Sequence, residues 1–342
     1  MLHLLDQSPD QWQAWCSARG LPAYRAAQVR QWLFRRRATS FAQMTDLPQT
    51  FRDLLAGEFQ IWTAHVAAGQ KAGDGSEKLL LELADGQRIE CVLLRNDRRH
   101  CAVCISTQVG CGMGCVFCAS GLEGVARNLT AGEIIEQILQ LQQLLSPQER
   151  LSHIVVMGMG EPLANLDAVL EALAVVTAPD ALEIGARRVT ISTVGLPGGI
   201  RRLAQRNCQY HLAVSLHAAD DELRNRLIPA NRQIGIAVVL AATDEYFEKT
   251  GRRVTFEYTL LAAVNDRVEH ARRLATLLKG RPALVNLIPY NPVPDLPYRR
   301  PSPQAVARFV AAATAGGLNV VVRHRKGERI DGACGQLRRR PL

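Results

Sequence analysis

The stretch CISTQVGCGMGCVFCASG, residues 104–121, constrains this chain more than any other. It sets Cys111, Cys115 and Cys118 in the spacing C-x-x-x-C-x-x-C, and thiolates that near on one glycine-rich loop can face a single inorganic centre. Gly110, Gly112 and Gly114 are expected to supply the positive-φ turns that wrapping demands. A [4Fe–4S] cube normally takes four cysteines. Three leave one iron open to a small molecule, which describes a cluster that does chemistry rather than one that only carries electrons. A structural zinc site is the first alternative, since Cys101-x-x-Cys104 and Cys115-x-x-Cys118 outwardly resemble a ribbon. But CAVCIS, residues 101–106, reads as a buried strand, where side chains alternate faces, so Cys101 and Cys104 would not share a metal. Zinc also leaves Cys111 without a role. Unliganded thiols packed as small hydrophobes are the second alternative, and they fit poorly in a loop this rich in glycine.

Length and charge set the frame. The 342 residues favour one large domain with a smaller one, and 47% apolar against 21% charged residues describes an ordinary globular chain. A net charge of +9 fits a polyanionic partner. Basic clusters fall at Arg35–Arg37, at Arg95 with Arg98, Arg99 and His100, at Arg323–Lys326 and at Arg338–Arg340; any one of them, taken singly, reads as a solvated face. Aromatics are only 5%, so no base-stacking platform is visible. Nine cysteines without framework spacing, an N-terminus lacking the apolar core of a signal peptide, and no membrane-length apolar run lead us to expect a reducing, cytoplasmic setting and no membrane.

In chain order, residues 1–58 read as a small helical domain. Ser8 caps a helix over Asp10–Arg19, Pro22 starts a second over Ala23–Arg37 with Tyr24, Val29 and Leu33 on its apolar face, Ser40 starts a short third, and a fourth stops near Gly57. Residues 59–100 change period: Lys78–Leu83 and Arg88–Leu94 form a β-hairpin extension joined at Asp85-Gly86, with Glu90 on what reads as an edge strand. From 101 to 342 strands and helices alternate. Strands are expected at 101–106, 153–158, 187–193, 210–216, 253–260, 284–289 and 318–323, and the first helix opens on a Thr130/Glu133 capping box. Repeated β–α units imply an α/β fold with a parallel sheet, and about six suit a partial (β/α)6 TIM-like barrel. The Cys loop, GMGEP, STVG, SLH and PYN each follow the C-terminal end of a strand, which is the active rim of such a barrel.

GCGMGCVFCASG, GMGEPLAN (158–165), SLH (215–217), PYNP (289–292) and DGACGQL (331–337) occur in an order that resembles the RlmN/Cfr family of radical-SAM RNA adenine methyltransferases, over nearly the whole chain. The resemblance implies that the open iron of the cluster chelates S-adenosylmethionine. It implies that Gly160 and Glu161 hold the methionine end, and that Ser192, the Ser215-Leu216-His217 segment and Asn291 hold the carboxylate, ribose and adenine. It further implies that Cys334 is methylated and that Cys104 is its partner, while Cys16, Cys91, Cys101 and Cys208 have no such context.

The implied mechanism uses two cofactor molecules. One methylates the Cys334 thiolate; the second is cleaved to a 5′-deoxyadenosyl radical that takes hydrogen from that methyl. The methylene radical adds to adenine, Glu90 accepts the ring proton, and Cys104 attacks the Cys334 sulfur to leave a disulfide for cellular thiols to reduce. The expected product is C2-methyladenine in 23S ribosomal RNA and in a subset of tRNAs beside the anticodon. C8 methylation, the antibiotic-resistance activity, uses the same residues. A flavodoxin or ferredoxin donor and a monomer are expected. The rivals are a different radical-SAM enzyme, such as an activase, and a non-catalytic zinc-stapled RNA-binding protein.

Overall fold

Ser8 opens the first helix as the sequence requires. Its hydroxyl accepts from Gln11 N–H at 3.2 Å while the Gln11 side chain accepts from Ser8 N–H at 2.8 Å, a reciprocal cap. Helices α1 (Pro9–Ser17), α2 (Tyr24–Phe34) and α3 (Gln49–Glu58) follow, with a 3-10 turn at Phe41–Gln43. The computed structural model describes residues 1–95, 100–206, 208–294, 296–323, 326–327 and 330–339. Helix α2 ends at Phe34, short of the expected Arg37, which instead has φ +57°, and Tyr24 is exposed rather than on the apolar face. Strand β1 (Leu2–His3) pairs in parallel with β2 (Phe59–Gln60), which ties off the helical unit. That unit has no separate core: one apolar cluster runs from Leu4 and Trp12 through the barrel to Phe309.

Among the described residues the central sheet has ten strands. In chain order they are β3 (His65–Lys71), β4 (Glu77–Glu82), β5 (Arg88–Arg95) and β6 (His100–Cys104), then β9 (Arg150–Val156), β10 (Val189–Thr193), β11 (His211–Ser215), β12 (Val254–Leu260), β13 (Ala283–Pro289) and β14 (Val320–Val322); β7 (Gln108–Gly110) and β8 (Val125–Asn128) form a separate ribbon. Within the central sheet, every pairing from β6 through β9 to β14 is parallel. Among the described residues six helices carry the crossovers: α4 (Ala131–Gln143), α5 (Leu166–Thr177), α6 (Pro197–Gln205), α8 (Ile236–Thr250), α9 (Val268–Leu278) and α10 (Pro303–Ala315), with a short α7 (Asp221–Leu227) beside the β11 end. This is the expected partial barrel. Thr130 and Glu133 cap α4 reciprocally.

The expectation fails at β5. Rather than standing at an edge, β5 pairs antiparallel with β4 on one side and with β6 on the other, in register Val92↔Cys104. The hairpin region therefore continues the barrel sheet, and Glu90 is fully buried. The true edge is β3, which the sequence does not announce, because HVAAGQK lacks apolar alternation.

Candidate active site

Three loops at the C-terminal rim are bonded to one another. Cys111 N–H donates to Gly124 O at 2.9 Å and Val116 N–H to Leu227 O at 3.1 Å, which folds the Cys loop over the barrel mouth. Gly110 (φ +79°) could carry no side chain, since a Cβ there would lie 2.0 Å from Gly124 O. Gly114 also has positive φ, whereas Gly112 does not; it is restricted by Val125 at 3.1 Å instead. Ala119 N–H donates to Gly335 O at 2.8 Å, and the Ser120 hydroxyl to Leu337 O at 2.7 Å. The Cys334 loop is thereby fastened directly to the cluster loop.

One cavity of about 150 Å³ is lined by Cys111, Cys115 and Cys118, by Gly160, Glu161, Ser192, Ser215, His217 and Asn291, and by Cys334. The motifs scattered through the sequence meet here. Burial pushes all three loop thiols up, Cys111 to about 11, so an occupant must displace their protons and supply compensating positive charge. Among the described residues no three His, Cys, Asp or Glu side chains gather as ligands of one metal ion. Cys111, Cys115 and Cys118 nevertheless line one cavity, as their spacing leads one to expect. Cys101 points elsewhere, its sulfur 3.8 Å from Glu149 Oε1, as strand alternation requires.

On the other wall the GMGEP turn is pinned by its own carboxylate. Glu161 accepts from Leu163 N–H at 2.9 Å and from Val194 N–H at 2.8 Å, so it also holds the STVG turn. Burial pushes its carboxyl up to about 7. His217 lies in the left-handed region, φ +57°, an uncommon conformation for a non-glycine residue at a rim. Its Nδ1 accepts from Thr259 N–H at 2.9 Å. Burial and Arg224 push its pKa down to about 3, so the ring is neutral and carries its proton on Nε2. Leu216 is the exception among the cofactor candidates. Its side chain is in the apolar core, its amide donates to Glu257 O at 3.0 Å, and it does not line the cavity.

A second cavity adjoins the first and is lined by Ala102, Cys104, Leu94, Lys326 and Leu337. Cys334, Asn291, Met157, Ile288 and Arg323 line both. Asn291 Nδ2 donates to Cys334 O at 3.1 Å. Burial and the nearby Cys334 push the Cys104 thiol up to about 12. Glu90 lines neither cavity. Its carboxylate pairs with Lys78 at 2.8 Å and accepts from Arg338 N–H at 2.8 Å, next to Leu337 of the second cavity.

Sequence reasoning misses Glu257 and Arg323 as members of the site. Glu257 sits among apolar residues of β12, 4% exposed, accepts from Asn286 Nδ2 at 2.7 Å, and is pushed up to about 7 by burial. A lone carboxylate at a period-2 inward position was the available signal. Arg323 reads in sequence only as part of a basic run. Several clustered cations are in fact committed internally: Arg35 to Glu183, Arg36 to Asp46, Arg95 to Glu77 and Glu149, Arg338 to Asp331, and Arg339 to Glu123. Arg98, Arg99, His324, Arg325 and Arg340 lie outside the described residues.

Comparison with known proteins agrees with this geometry. The Radical SAM superfamily model matches residues 105–275, and the ribosomal RNA large subunit methyltransferase N-terminal domain model matches residues 2–61. A Rhodopirellula baltica protein named probable dual-specificity RNA methyltransferase RlmN is 58% identical, over 98% of this chain and 91% of its own. A protein of the same name from Symbiobacterium thermophilum is 50% identical, over 94% and 87%. The crystal structure of a radical SAM methyltransferase from Sphaerobacter thermophilus matches with a TM-score of 0.96 at 41% identity, over 99% of this chain and 100% of that one.

Proposed function

This chain belongs to the RlmN family of radical-SAM RNA methyltransferases, and on that premise we propose that it methylates C2 of adenine in 23S ribosomal RNA and in tRNA beside the anticodon. The observation that carries the reading is the position of Cys334. It is the one thiol that lines both the cavity of the cluster cysteines and the cavity of Cys104.

Cys111, Cys115 and Cys118 would hold a [4Fe–4S] cluster, and Gly160, Glu161, Ser192, Ser215, His217 and Asn291 would hold S-adenosylmethionine beside it. When bound, these supply an electrophilic methyl group and a carbon radical able to remove hydrogen from a methyl. Adenine C2 is not nucleophilic, so it cannot take a methyl by polar displacement. The Cys334 thiolate can, and it becomes a thioether. Once activated, its carbon adds to the ring without needing ring nucleophilicity. Glu90 then takes the ring proton, and the one electron left over from the addition would return to the cluster that Cys111, Cys115 and Cys118 hold. The Cys104 thiolate attacks the Cys334 sulfur, the S–C bond breaks with its electron pair going to the former methyl carbon, which takes up a proton to become the product methyl, and a disulfide remains. Arg323, on the boundary of both cavities, places a cation beside Cys104 and Cys334 and partly opposes the burial that pushes the Cys104 thiol up.

The N-terminal helices, residues 1–58, are the proposed RNA-docking unit, residues 59–100 extend the sheet, and 101–342 carry the chemistry. A monomer working in the cytoplasm with a flavodoxin or ferredoxin as electron donor completes the proposal; among the described residues no helix is long and apolar enough to cross a membrane. The test is anaerobic turnover on undermodified ribosomal RNA and tRNA with mass spectrometry of the adenosine product. C2-methyladenosine from wild type is expected. Cys334→Ala should make none while still cleaving the cofactor reductively; full methylation by that variant would overturn the reading.

A further inference from the structure

We propose that Lys78 is the positioning residue that keeps Glu90 ionised and oriented to receive the ring proton. This rests on the role given to Glu90 above. Both side chains are 1% exposed, and Nζ stands 2.8 Å from Oε1. They lie diagonally across the β4–β5 pair, Lys78 opposite Val92 and Glu90 opposite Leu80, on a face where such neighbours meet. Their cross-strand partners on that face, Leu80 and Val92, are both buried. Lysine is almost never buried this fully unless paired. An apolar pair of the same volume would pack a sheet at least as well as an ion pair, so packing alone gives no reason for these charges.

The surroundings give one. Val92 of β5 faces Cys104 of β6, and the Cys334 segment returns so that Arg338 N–H reaches Glu90 Oε2 at 2.8 Å. Glu90 thus stands between the two cysteine segments assigned to adduct release. In the step at issue the ring C–H bond of the adduct radical breaks, the proton passes to the carboxylate, the electron pair stays in the ring, and the one surplus electron would return to the cluster that Cys111, Cys115 and Cys118 hold. A carboxyl in this apolar setting is pushed up by burial, and an acid already protonated can take no proton. Lys78 opposes that burial. It also disfavours the neutral acid after the step, because its own charge would then be left unpaired, and so it helps return the proton. The other groups facing Glu90 are the Arg338 amide and guanidinium, the latter held by Asp331 at 3.5 Å, and the Cys91 thiol of β5, which burial keeps protonated.

The experiment follows decay of the covalent RNA adduct in a single turnover as a function of pH. Lys78→Met should slow release near neutral pH by at least about tenfold, a factor of about ten for each unit that Glu90 rises, and recover as the pH is raised. Lys78→Arg should stay near wild type, and Glu90→Gln should be slow at every pH. Wild-type release by Lys78→Met would overturn this inference and leave the Glu90 reading standing; wild-type release by Glu90→Gln would remove that reading itself. Thermal unfolding supplies a readout free of turnover. In Lys78→Met the folded pKa of Glu90 lies above the unfolded value of about 4.3, so stability is full below that value and is lost as pH rises through the folded one. A melting temperature that falls with pH in Lys78→Met, and stays level in Lys78→Met/Glu90→Gln, is expected; parallel curves would refute the coupling.

Discussion

Gly160→Ala tests how the rim holds its cofactor turn. Gly160 has φ +103°, and a Cβ there would lie 2.7 Å from both the Cβ and the backbone nitrogen of Gln108. Gln108 cannot retreat easily. Its amide donates to Met159 O at 3.3 Å, its Oε1 accepts from Glu161 N–H at 2.8 Å, and its Nε2 donates to Asn128 Oδ1 at 2.7 Å. A left-handed backbone costs an L-residue roughly 1–2 kcal/mol, and overpacking a fixed wall roughly 1–3 kcal/mol. The variant should therefore lose roughly 2–5 kcal/mol of stability. Relaxation has to move either the GMGEP turn or β7, which leads through Gly110 into Cys111, so S-adenosylmethionine should bind at least about tenfold more weakly, or about 1.4 kcal/mol. Gly185→Ala is the matched control: φ is −56° and nothing lies within 4 Å of its Cβ position. It should be neutral or stabilising by about 0.4–1 kcal/mol. Anaerobic denaturant unfolding and equilibrium cofactor binding read both quantities. If Gly160→Ala matched the control in both, the close-approach argument would be wrong.

Other outcomes follow from the same geometry. Cys104→Ala should leave Cys334 joined to RNA, seen as a protein–RNA band on denaturing gels and a modified Cys334 peptide by mass spectrometry. Arg224, fully buried, donates to Leu216 O at 3.1 Å, Ser215 O at 3.0 Å, Val194 O and Asn231 Oδ1; Arg224→Met strands these acceptors and should cost roughly 4 kcal/mol or more in urea unfolding, with Arg224→Lys restoring little. His217, with its pKa pushed down to about 3 from 6.5, contributes stability that is present above about pH 6.5 and lost as the pH falls toward 3. Between about pH 7 and about pH 5.5 that loss is about 1 kcal/mol, and His217→Gln should flatten the wild-type stability curve by that amount.

What the sequence discloses and what it hides follow from how far each signal reaches. The Ser8 and Thr130 caps, the Asp85-Gly86 turn and the strands of the barrel are local statements, and the structure places them where periodicity and turn chemistry put them. The rim residues are legible because each follows a strand end, so one rule of barrel architecture gathers them. Glu90 shows the limit. Whether a strand is an edge depends on what pairs beside it, and β6 takes β5 antiparallel on one side while it opens the parallel sheet with β9 on the other, so one strand belongs to both patterns. Lys78 is hidden for the same reason, since a lysine opening an apolar strand reads as solvent-facing until its diagonal neighbour is known. The Leu216 side chain lies in the core for a different reason: a motif names consecutive residues, but a strand end turns only alternate side chains toward the cavity.

The loop that carries Cys334 makes physical sense of the two cavities. A strand would fix its side chain toward one of them, whereas a thiol that takes a methyl from one side and presents carbon to the other has to stand at their junction. Asp331 at φ +47° and Gly335 at φ +87° give the sharp turns that put it there. The loop is not free, because Asn291 holds the Cys334 carbonyl, Gln336 Nε2 donates to Pro292 O at 2.8 Å, and Ala119 and Ser120 of the cluster loop hold Gly335 and Leu337. Cluster loop and acceptor loop are therefore one bonded unit, and displacement of either carries the other. Arg323 lines both cavities beside this junction, so a thiolate at Cys334 keeps a neighbouring cation whichever cavity it faces. On the proposed mechanism that is what lets a single sulfur act first as nucleophile, then as carrier of the activated carbon, and last as the electrophile that Cys104 attacks.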